Sequence, residues 1–356
     1  MSPSHEIDSD TGARSSAAQP VVVVGAGSVG LTLGARLAAR RRDVVFVVRR
    51  AEQAVALNER GVSLEQLDGE PLRGRVRAFV GCAAARHLEP GWVVVCVQAG
   101  HTEILAPQIA DAWPAATVVS AQNHVTNEAV LARHSRSVLG LVWRQTVTRL
   151  SDIEVRSGGA AQVIVGSYPD GLSPAALELA AVLRDAGFDA GLSPTIARDK
   201  WLKLCVNLMS IPNALIHPRD HTSAAFAEGK ARLLEEARAV LAAAGIEAAS
   251  GDGRARSLEQ EIEWQRLSAA RGLSARRAPL YNQVWRAFEQ RARGLGPDEA
   301  LEADTYHELI TRLGAAHGVA TPLNERVLAH TRRAWHERAA AESCGVAEMF
   351  GIASSE

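Results

Sequence analysis

The chain has 356 residues, of which 47% are hydrophobic and 22% are charged, a composition typical of a globular protein with a large core. At about 150 residues per domain, this length predicts two domains. The 39 basic and 40 acidic residues give a net charge of -1, which argues against nucleic acid as a partner because duplex binding needs a basic face. Since no apolar run reaches the roughly 20 residues of a membrane helix, we expect a cytoplasmic protein without a membrane partner.

Cysteine and histidine spacing predicts neither disulfide bonds nor a metal site. The four cysteines lie far apart, without a C-x-x-C pair. The pair His217 and His221 is interrupted by Pro218, and no carboxylate completes a ligand set. We therefore expect reduced thiols and no bound metal.

The first half of the chain has the pattern of a parallel sheet with helices on both faces. Residues 1–19 are polar and acidic, unlike a signal peptide, and are expected to form a disordered tail. From Val21 the sequence VVVVGAGSVGLTLGARLAARRRDVVFVV predicts a strand, a glycine turn, a helix and a second strand. Further apolar runs predict one parallel-dominated sheet within a domain of residues 20–194, with strands at 92–97, 117–119, 138–142, 162–165 and 188–192 and a helix at 174–186.

The second half, residues 195–356, has the pattern of an all-α domain. β-branched runs disappear after Pro194, and long stretches rich in Ala, Leu, Arg and Glu follow with helical spacing. The clearest predicted helices are 228–244, 258–270, 281–293 and 299–317, with stops at Gly245, Gly272, Gly294 and Gly318.

A glycine motif, G-x-G-x-x-G, lies directly after the first strand and opens the first helix. In this position the first glycine permits a tight turn, the second lets backbone approach a pyrophosphate, and the third lets helix pack on strand. The helix N-terminus adds N–H donors for the phosphates. We interpret the segment as a dinucleotide-binding loop of Rossmann type rather than a merely flexible turn, made of Gly25, Ala26, Gly27, Ser28, Val29 and Gly30.

The end of the second strand predicts NADP(H) as the cofactor. An NAD site usually places Asp or Glu there to bind the ribose 2′-hydroxyl. This chain has Arg49 and Arg50 instead, and two guanidiniums suit a 2′-phosphate. The alternative is a solvated basic turn.

Lysine is scarce, which draws attention to the three positions that keep it. The chain has only Lys200, Lys203 and Lys230, so nearly every generic positive charge is Arg. Lys203 and Asn207 are four residues apart and share one helix face, from which both could reach one ligand. The alternative for Lys203 is an ordinary surface lysine. Lys230 lies in a helical run that we expect to face solvent.

With the glycine loop, Lys203 and Asn207 resemble the hallmark of the ketopantoate reductases (2-dehydropantoate 2-reductases). The resemblance covers about residues 20 to 335. Three further segments are similar to motifs of that family: Gln122-Asn123-His124, Glu302-Ala303-Asp304 and Gly318-Val319-Ala320-Thr321-Pro322-Leu323-Asn324.

The resemblance implies an NADPH-dependent reductase of a 2-oxo acid, as in the conversion of ketopantoate to pantoate in pantothenate biosynthesis. Its active site would lie in the cleft between the two domains. Lys203 would donate the proton and Asn207 would bind the substrate. Asn123 would contact substrate and nicotinamide ribose, while Gln98 and Glu302 would contact the cofactor.

Departures from the family pattern leave the substrate open. Gln98 stands where the family commonly has Lys, and His124 replaces a glycine. Ile211 and His307 replace family asparagines, so we expect them in the substrate wall, where they would favour a different acyl tail. Two further differences are His221, at another asparagine position, and the segment Gln283-Val284-Trp285, whose tryptophan is expected to face the cleft.

Two other functions fit the same sequence. One is a family member that reduces another ketone or an imine in a specialised pathway. The other is a catalytically silent NADPH-binding sensor, against which Lys203, Asn207 and Glu302 argue. As separate structural alternatives, Asn123 could merely cap the helix at 126–133, and Glu302 could be a solvated helix charge. The sequence leaves open the substrate, the direction of flux and whether the chain forms a homodimer.

Overall fold

The computed structural model describes residues 19–67, 69–270, 283–295 and 301–352. The predicted tail falls almost wholly outside these ranges, as do Gly272 and the start of the helix predicted at 281. These ranges contain twelve strands: β1 Val21–Val24, β2 Val44–Val48, β3 Val62–Gln66, β4 Gly69–Gly74, β5 Arg77–Val80, β6 Trp92–Val95, β7 Thr117–Ser120, β8 Val138–Trp143, β9 Thr146–Arg149, β10 Glu154–Gly158, β11 Gln162–Ser167 and β12 Asp189–Leu192.

Eight of these strands form the main sheet, in the order β12-β11-β8-β7-β6-β1-β2-β5. In this sheet β8, β7, β6, β1, β2 and β5 are all parallel to one another, whereas β11 and β12 run in the opposite direction. Strands β1, β2 and β6 are buried along their whole length. This explains why they are continuous Val-rich runs rather than alternating ones, because helices cover both faces of the sheet.

A second, four-stranded sheet corrects the prediction of a single sheet. Its order is β4-β3-β10-β9, and two of its three pairings are antiparallel. The sheet packs against the first helix, α1 (Ser28–Ala39). Arg36 of this helix ties the two layers together by donating to the Gln66 side chain of β3 at 3.0 Å.

Four more helices accompany the strands. Their bounds are α2 Ala51–Arg60, α3 Thr102–Ala112, α4 Asn127–Ala132 and α5 Pro174–Asp185. The predicted helix at 174–186 is thus present as α5, with Pro174 at its first position and the Ser173 hydroxyl accepting from the Ala176 N–H. This is the usual chemistry of a helix start.

After β12 the described chain is helical. The bounds are α6 Ile196–Asn207, α7 Ser210–Leu215, α8 Ala224–Ala243, α9 Leu258–Ala270, α10 Gln283–Ala292, α11 Glu302–His317, α12 Pro322–His336 and α13 Val346–Phe350. Gly245, Gly294 and Gly318 adopt positive φ just after helices, as predicted for left-handed stops. Within the described ranges, the extended pairing in this half is a single bridge between Ile216 and Cys344.

The fold class expected from the sequence, an α/β sheet domain followed by a helical region, is confirmed. The helices share their own hydrophobic core, in which Phe226 and Phe288 are fully buried. Among the described helices, none combines the length and apolarity that a bilayer crossing requires.

Candidate active site

The loops that carry the predicted cofactor residues meet at one edge of the main sheet. Val24 pairs with Val95, which in turn pairs with Ser120, so β1, β6 and β7 end level with one another. The glycine loop follows β1, and the segments with Gln98 and Asn123 follow the other two strands. Ligands of open parallel sheets bind beyond the carboxyl ends of the strands, where the strand order reverses. Here that reversal lies between β1 and β6.

The three glycines of the loop have the distinct constraints expected from the motif. Gly25 has a φ of +100°, and a Cβ there would lie 2.8 Å from Val97 Cγ1. A Cβ on Gly30 would lie 2.0 Å from the Gly25 carbonyl oxygen, so α1 can approach β1 only without a side chain. A Cβ on Gly27 would meet no atom within 4 Å, which leaves open space beside its backbone. That space is where a pyrophosphate would approach.

The N-terminus of α1 keeps its donors available. No side chain caps it, and its first turn has no acidic residue. Gln53 holds the loop by donating to the Ala26 carbonyl at 3.0 Å and to the Asp152 carbonyl at 2.8 Å. An uncapped helix start beside an open glycine is suited to an anion such as the pyrophosphate of a dinucleotide.

The basic pair at the end of β2 lies on the surface, next to a carboxylate. Arg49 and Arg50 are both exposed, and Arg50 is hydrogen bonded to Asp152. Arg149, at the end of β9, binds the same Asp152 carboxylate. One carboxylate therefore serves two guanidiniums. No sequence pattern marked Arg149, because this residue belongs to the unanticipated second sheet.

A cavity of about 470 Å³ is lined by six of the predicted site residues, which come from both halves of the chain. Gln98, Asn123, Lys203, Asn207 and Glu302 all line it. The remaining lining residues come from the glycine loop, the β8–β9 connection and helices α6, α7, α10 and α11: Val29, Trp143, Gln145, Thr146, Val147, Val206, Met209, Ser210, Asn213, Gln283, Val284, Ala287, Leu301, Ala303 and Tyr306.

Lys203 has the electrostatic environment of an amine able to release its proton. Burial lowers its pKa from 10.5 to about 8, and the nearby Arg144 cation contributes in the same direction. Arg144 is itself held by Asp252 at 3.4 Å and Asp199 at 3.6 Å. Asn207 ends α6 four residues later and lines the same cavity, as the helical spacing predicted.

Glu302 connects the helical half of the chain to the sheet. It opens α11, and its Oε1 accepts a hydrogen bond from the Ala99 N–H at 3.2 Å, just after Gln98. Burial raises the pKa of this carboxyl above its usual value. Glu302 therefore lies at the cofactor edge of the sheet, and the interpretation of a solvated helix charge is not supported.

Ile211 and His307 do not lie where the sequence analysis expected them. Ile211 is fully buried in the helical core and does not line the cavity. His307 is also fully buried, with Nδ1 2.8 Å from Asn324 Oδ1 and Nε2 3.2 Å from the Leu208 carbonyl. Both side chains connect helices, so neither contributes to the cavity wall.

Two other expectations, those for Trp285 and Lys230, are corrected in the same way. Trp285 does not line the cavity but donates its indole N–H to Glu342, while its neighbour Val284 does line it. His221 is buried and stacked on Phe226 at 4.6 Å between ring centroids. Lys230 does not face solvent: it is 7% exposed and lies 4.3 Å above the same phenyl ring.

Several polar residues of the cavity were not anticipated. Gln145 and Asn213 each have a buried amide oxygen for which the structure shows no hydrogen-bond partner. Burial raises the pKa of the Tyr306 hydroxyl well above its usual value, while the side chains of Asn123 and Asn207 act on that pKa in the opposite direction. Tyr306 had one available signal, since it lies four residues after Glu302 and therefore on the same helix face.

Metal-ligand geometry is not found in the described part of the chain. No group of three or more His, Cys, Asp or Glu side chains there could hold a metal ion. The four cysteines are free thiols, and three of them are buried.

The comparisons with known sequences all find proteins described as ketopantoate reductases or 2-dehydropantoate 2-reductases. Residues 21–170 match the model of the ketopantoate reductase PanE/ApbA family. A 2-dehydropantoate 2-reductase of Archaeoglobus fulgidus is 33% identical over 189 residues, which span 53% of this chain and 61% of that protein. The enzyme of the same name from Halobacterium salinarum is 25% identical over 306 residues, or 85% of this chain and 94% of that protein.

Solved structures show the same fold over nearly the whole chain. A protein from Ralstonia solanacearum described as a putative ketopantoate reductase has 26% identity and a TM-score of 0.68, covering 90% of this chain and 99% of that one. A D-mandelate dehydrogenase in complex with NADH and anilino(oxo)acetate has 17% identity and a TM-score of 0.74 with the same coverage, a likeness of fold alone. Over residues 21–170, the chain is therefore similar to the ketopantoate reductase family.

Proposed function

We propose that the protein is an NADPH-dependent reductase of a 2-oxo acid, of the 2-dehydropantoate 2-reductase type. The observation that carries this proposal is the cavity itself: Lys203 and Asn207 of α6 share it with Asn123, Gln98 and Glu302. The family match and the names of the relatives support the same reaction class.

The glycine loop and the start of α1 would hold the pyrophosphate, and Arg49 and Arg50 the 2′-phosphate. When bound there, NADPH supplies a hydride to C2 of the substrate. Lys203 donates the proton that the carbonyl oxygen needs as negative charge develops on it, which completes the C–OH group. A pKa of about 8 keeps most of this amine protonated near neutral pH while making the proton easy to release.

Asn207 and Asn123 position the substrate for this transfer. Each amide offers two donors and one acceptor, so they can bind both the carboxylate and the oxygen at C2. Asn207 is held on the same helix as Lys203, which fixes its distance from the proton donor. Glu302 would bind the nicotinamide end of the cofactor, since its Oε1 already accepts from the backbone beside Gln98.

The proposal can be tested by adding NADPH and a panel of 2-oxo acids, including ketopantoate, to the purified protein. The loss of NADPH absorbance measures turnover. We expect turnover with at least one 2-oxo acid. A panel of ketones and imines without the carboxylate separates this reaction from the alternative in which another carbonyl or imine is reduced. NADPH binding without turnover of any compound would instead support the sensor and contradict the proposed activity.

A further inference from the structure

The connection between β9 and β10 lies against the glycine loop. Gln53 of α2 is 6% exposed, and its Nε2 atom donates to the Ala26 carbonyl at 3.0 Å and to the Asp152 carbonyl at 2.8 Å. Ala26 belongs to the glycine loop after β1, and Asp152 lies between β9 and β10. A single buried amide nitrogen that bonds both carbonyls holds these two loops as neighbours.

This connection also contacts the segment after β2, where the 2′-position of the cofactor is expected. In a Rossmann domain the 2′-position of the adenosine ribose is recognised about 20 residues after the glycine loop, at the end of the second strand. Arg50 lies between β2 and α2, and its guanidinium is hydrogen bonded to the carboxylate of Asp152. The β9–β10 connection therefore borders the region in which the ribose is expected.

Arg149 brings a second guanidinium to the same carboxylate. Its Nη2 and the Nη2 of Arg50 both bond Oδ1 of Asp152. The Arg149 Nε donates to the Ser151 carbonyl at 2.9 Å, which fixes the direction of this side chain. Because one oxygen atom is shared, guanidiniums from two distant parts of the chain can reach a single anionic group.

Both guanidiniums keep N–H donors for a further acceptor. An Arg side chain has five such donors. Toward described residues, Arg50 uses one of them and Arg149 uses two. The two side chains are 45% and 37% exposed, so a ligand can reach them. A phosphate group carries a charge of about -1.5 to -2 and three acceptor oxygens, which suits a pair of guanidiniums better than a neutral ribose hydroxyl does.

We propose that Arg149 binds the 2′-phosphate of NADPH together with Arg50 and so helps to determine the choice of cofactor. This inference rests on the proposed function, because it takes the cofactor to be NADPH. Asp152 is then a positioning residue, whose carboxylate holds the two guanidiniums side by side although their charges repel each other. The second sheet thus takes part in cofactor selection, although the glycine loop and Arg50 follow strands of the main sheet.

Titration calorimetry with NADP⁺ and NAD⁺ measures this contribution, because the two ligands differ only in the 2′-phosphate. We expect Arg149→Met to raise the dissociation constant of NADP⁺ about tenfold, the lower end of the effect of losing a hydrogen bond to a charged group. The dissociation constant of NAD⁺ should stay within about twofold of the wild-type value. Arg149→Lys keeps the charge without the planar fork and should therefore cause a smaller loss.

Arg77→Met is the matched control. Arg77 begins β5 and forms an exposed ion pair with Asp43 at 2.6 Å. Asp43 directly precedes β2, so this pair lies at the amino-terminal edge of the main sheet, opposite the edge that carries the glycine loop. The variant removes one positive charge, as Arg149→Met does, and should leave both dissociation constants unchanged.

These measurements separate failure of the inference from failure of the proposed function, since binding is observed without turnover. If Arg149→Met binds NADP⁺ about tenfold more weakly than Arg77→Met does, the inference stands even if no 2-oxo acid is reduced. Equal NADP⁺ binding by the two variants would overturn it and leave any observed turnover intact. An equal loss of NAD⁺ and NADP⁺ affinity in Arg149→Met would also overturn it, because the residue would then support the loop rather than the phosphate. A wild type that binds NADP⁺ no more tightly than NAD⁺ would overturn both the inference and the choice of NADPH, while reduction of a 2-oxo acid with NADH would preserve the reaction class.

Discussion

Lys203 is the residue on which the proposed chemistry depends most. It lines the cavity, and burial lowers its pKa to about 8. We expect Lys203→Ala to lower kcat by about 10²- to 10⁴-fold, the usual contribution of general acid catalysis. Lys203→Arg should be nearly as poor, because a guanidinium keeps its charge but does not release its proton near neutral pH. Steady-state NADPH oxidation measures both effects, and NADPH affinity should stay nearly unchanged.

The pH profile distinguishes proton donation from a purely electrostatic role of this lysine. The folded-state pKa is lowered from 10.5 to about 8, so the protonated fraction is high below pH 8 and declines above it. For reduction, kcat/KM should therefore decline as the pH rises through about 8. The residual activity of Lys203→Arg should lack this decline. Wild-type kcat in the arginine variant would show that charge alone suffices and that the general-acid assignment is wrong.

The scarcity of lysine indicated that the retained lysines are not ordinary surface charges. It did not indicate which of the three lines the cavity. Lys200 and Lys230 are 3% and 7% exposed, and Lys203 lines the cavity, so no lysine of the chain is an ordinary surface charge. Ile211 and His307 were misplaced for a different reason. A family position read along the chain does not say which face of a helix turns toward the core, and packing decides that.

At the level of secondary structure, the buried amine of Lys200 anchors α6 to helix α4 and to the end of strand β7. Lys200 Nζ lies 2.8 Å from Glu128 Oε1 of α4, and both side chains are almost fully buried. The same amine donates to the carbonyl of Gln122 at 2.6 Å and to that of Ser120 at 3.2 Å. This contact therefore fixes the helix with Lys203 relative to the loop with Asn123.

Removing one partner of this pair should destabilise the fold. Lys200→Met leaves Glu128 as an uncompensated buried charge, and we expect a loss of about 3–5 kcal/mol in the free energy of unfolding measured in urea. The double variant Lys200→Met/Glu128→Met should recover most of that loss. Arg198→Met on the same helix is the control, because its ion pair with Glu247 is exposed and is worth at most about 1 kcal/mol. A loss at Lys200 no larger than at Arg198 would contradict the anchoring role.

Strand prediction succeeded for the fully buried strands of the main sheet and failed for the largely exposed strand β4 of the second sheet. The strands β1, β2 and β6 were recognisable because they are buried throughout. Strand β4 has the sequence GEPLRG and is largely exposed, so neither an apolar run nor an alternating pattern marks it. The second sheet was missed for this reason, and Arg149 was missed with it.

For the molecule as a whole, the candidate site depends on both halves of the chain. The sheet contributes the glycine loop, Gln98 and Asn123, and the helices contribute Lys203, Asn207 and Glu302. The hydrogen bond from Ala99 to Glu302 crosses between them at 3.2 Å. Motifs distant in the sequence could be assigned to one site only through the family resemblance, because spacing along a single chain does not report which loops meet. A bound dinucleotide would contact both halves and should therefore stabilise the entire fold.

This linkage provides a test of cofactor choice that does not require turnover. A ligand at 100 times its dissociation constant adds about 2.7 kcal/mol to the free energy of unfolding. At equal concentration, NADPH should therefore raise the thermal midpoint of wild type clearly more than NADH does, because Arg49 and Arg50 would bind the 2′-phosphate. The double variant Arg49→Ala/Arg50→Ala should narrow that difference by lowering the effect of NADPH alone. Arg60→Ala, at the far end of α2, is the control and should preserve the difference. Equal stabilisation of wild type by NADPH and NADH would show that this arginine pair does not select the cofactor.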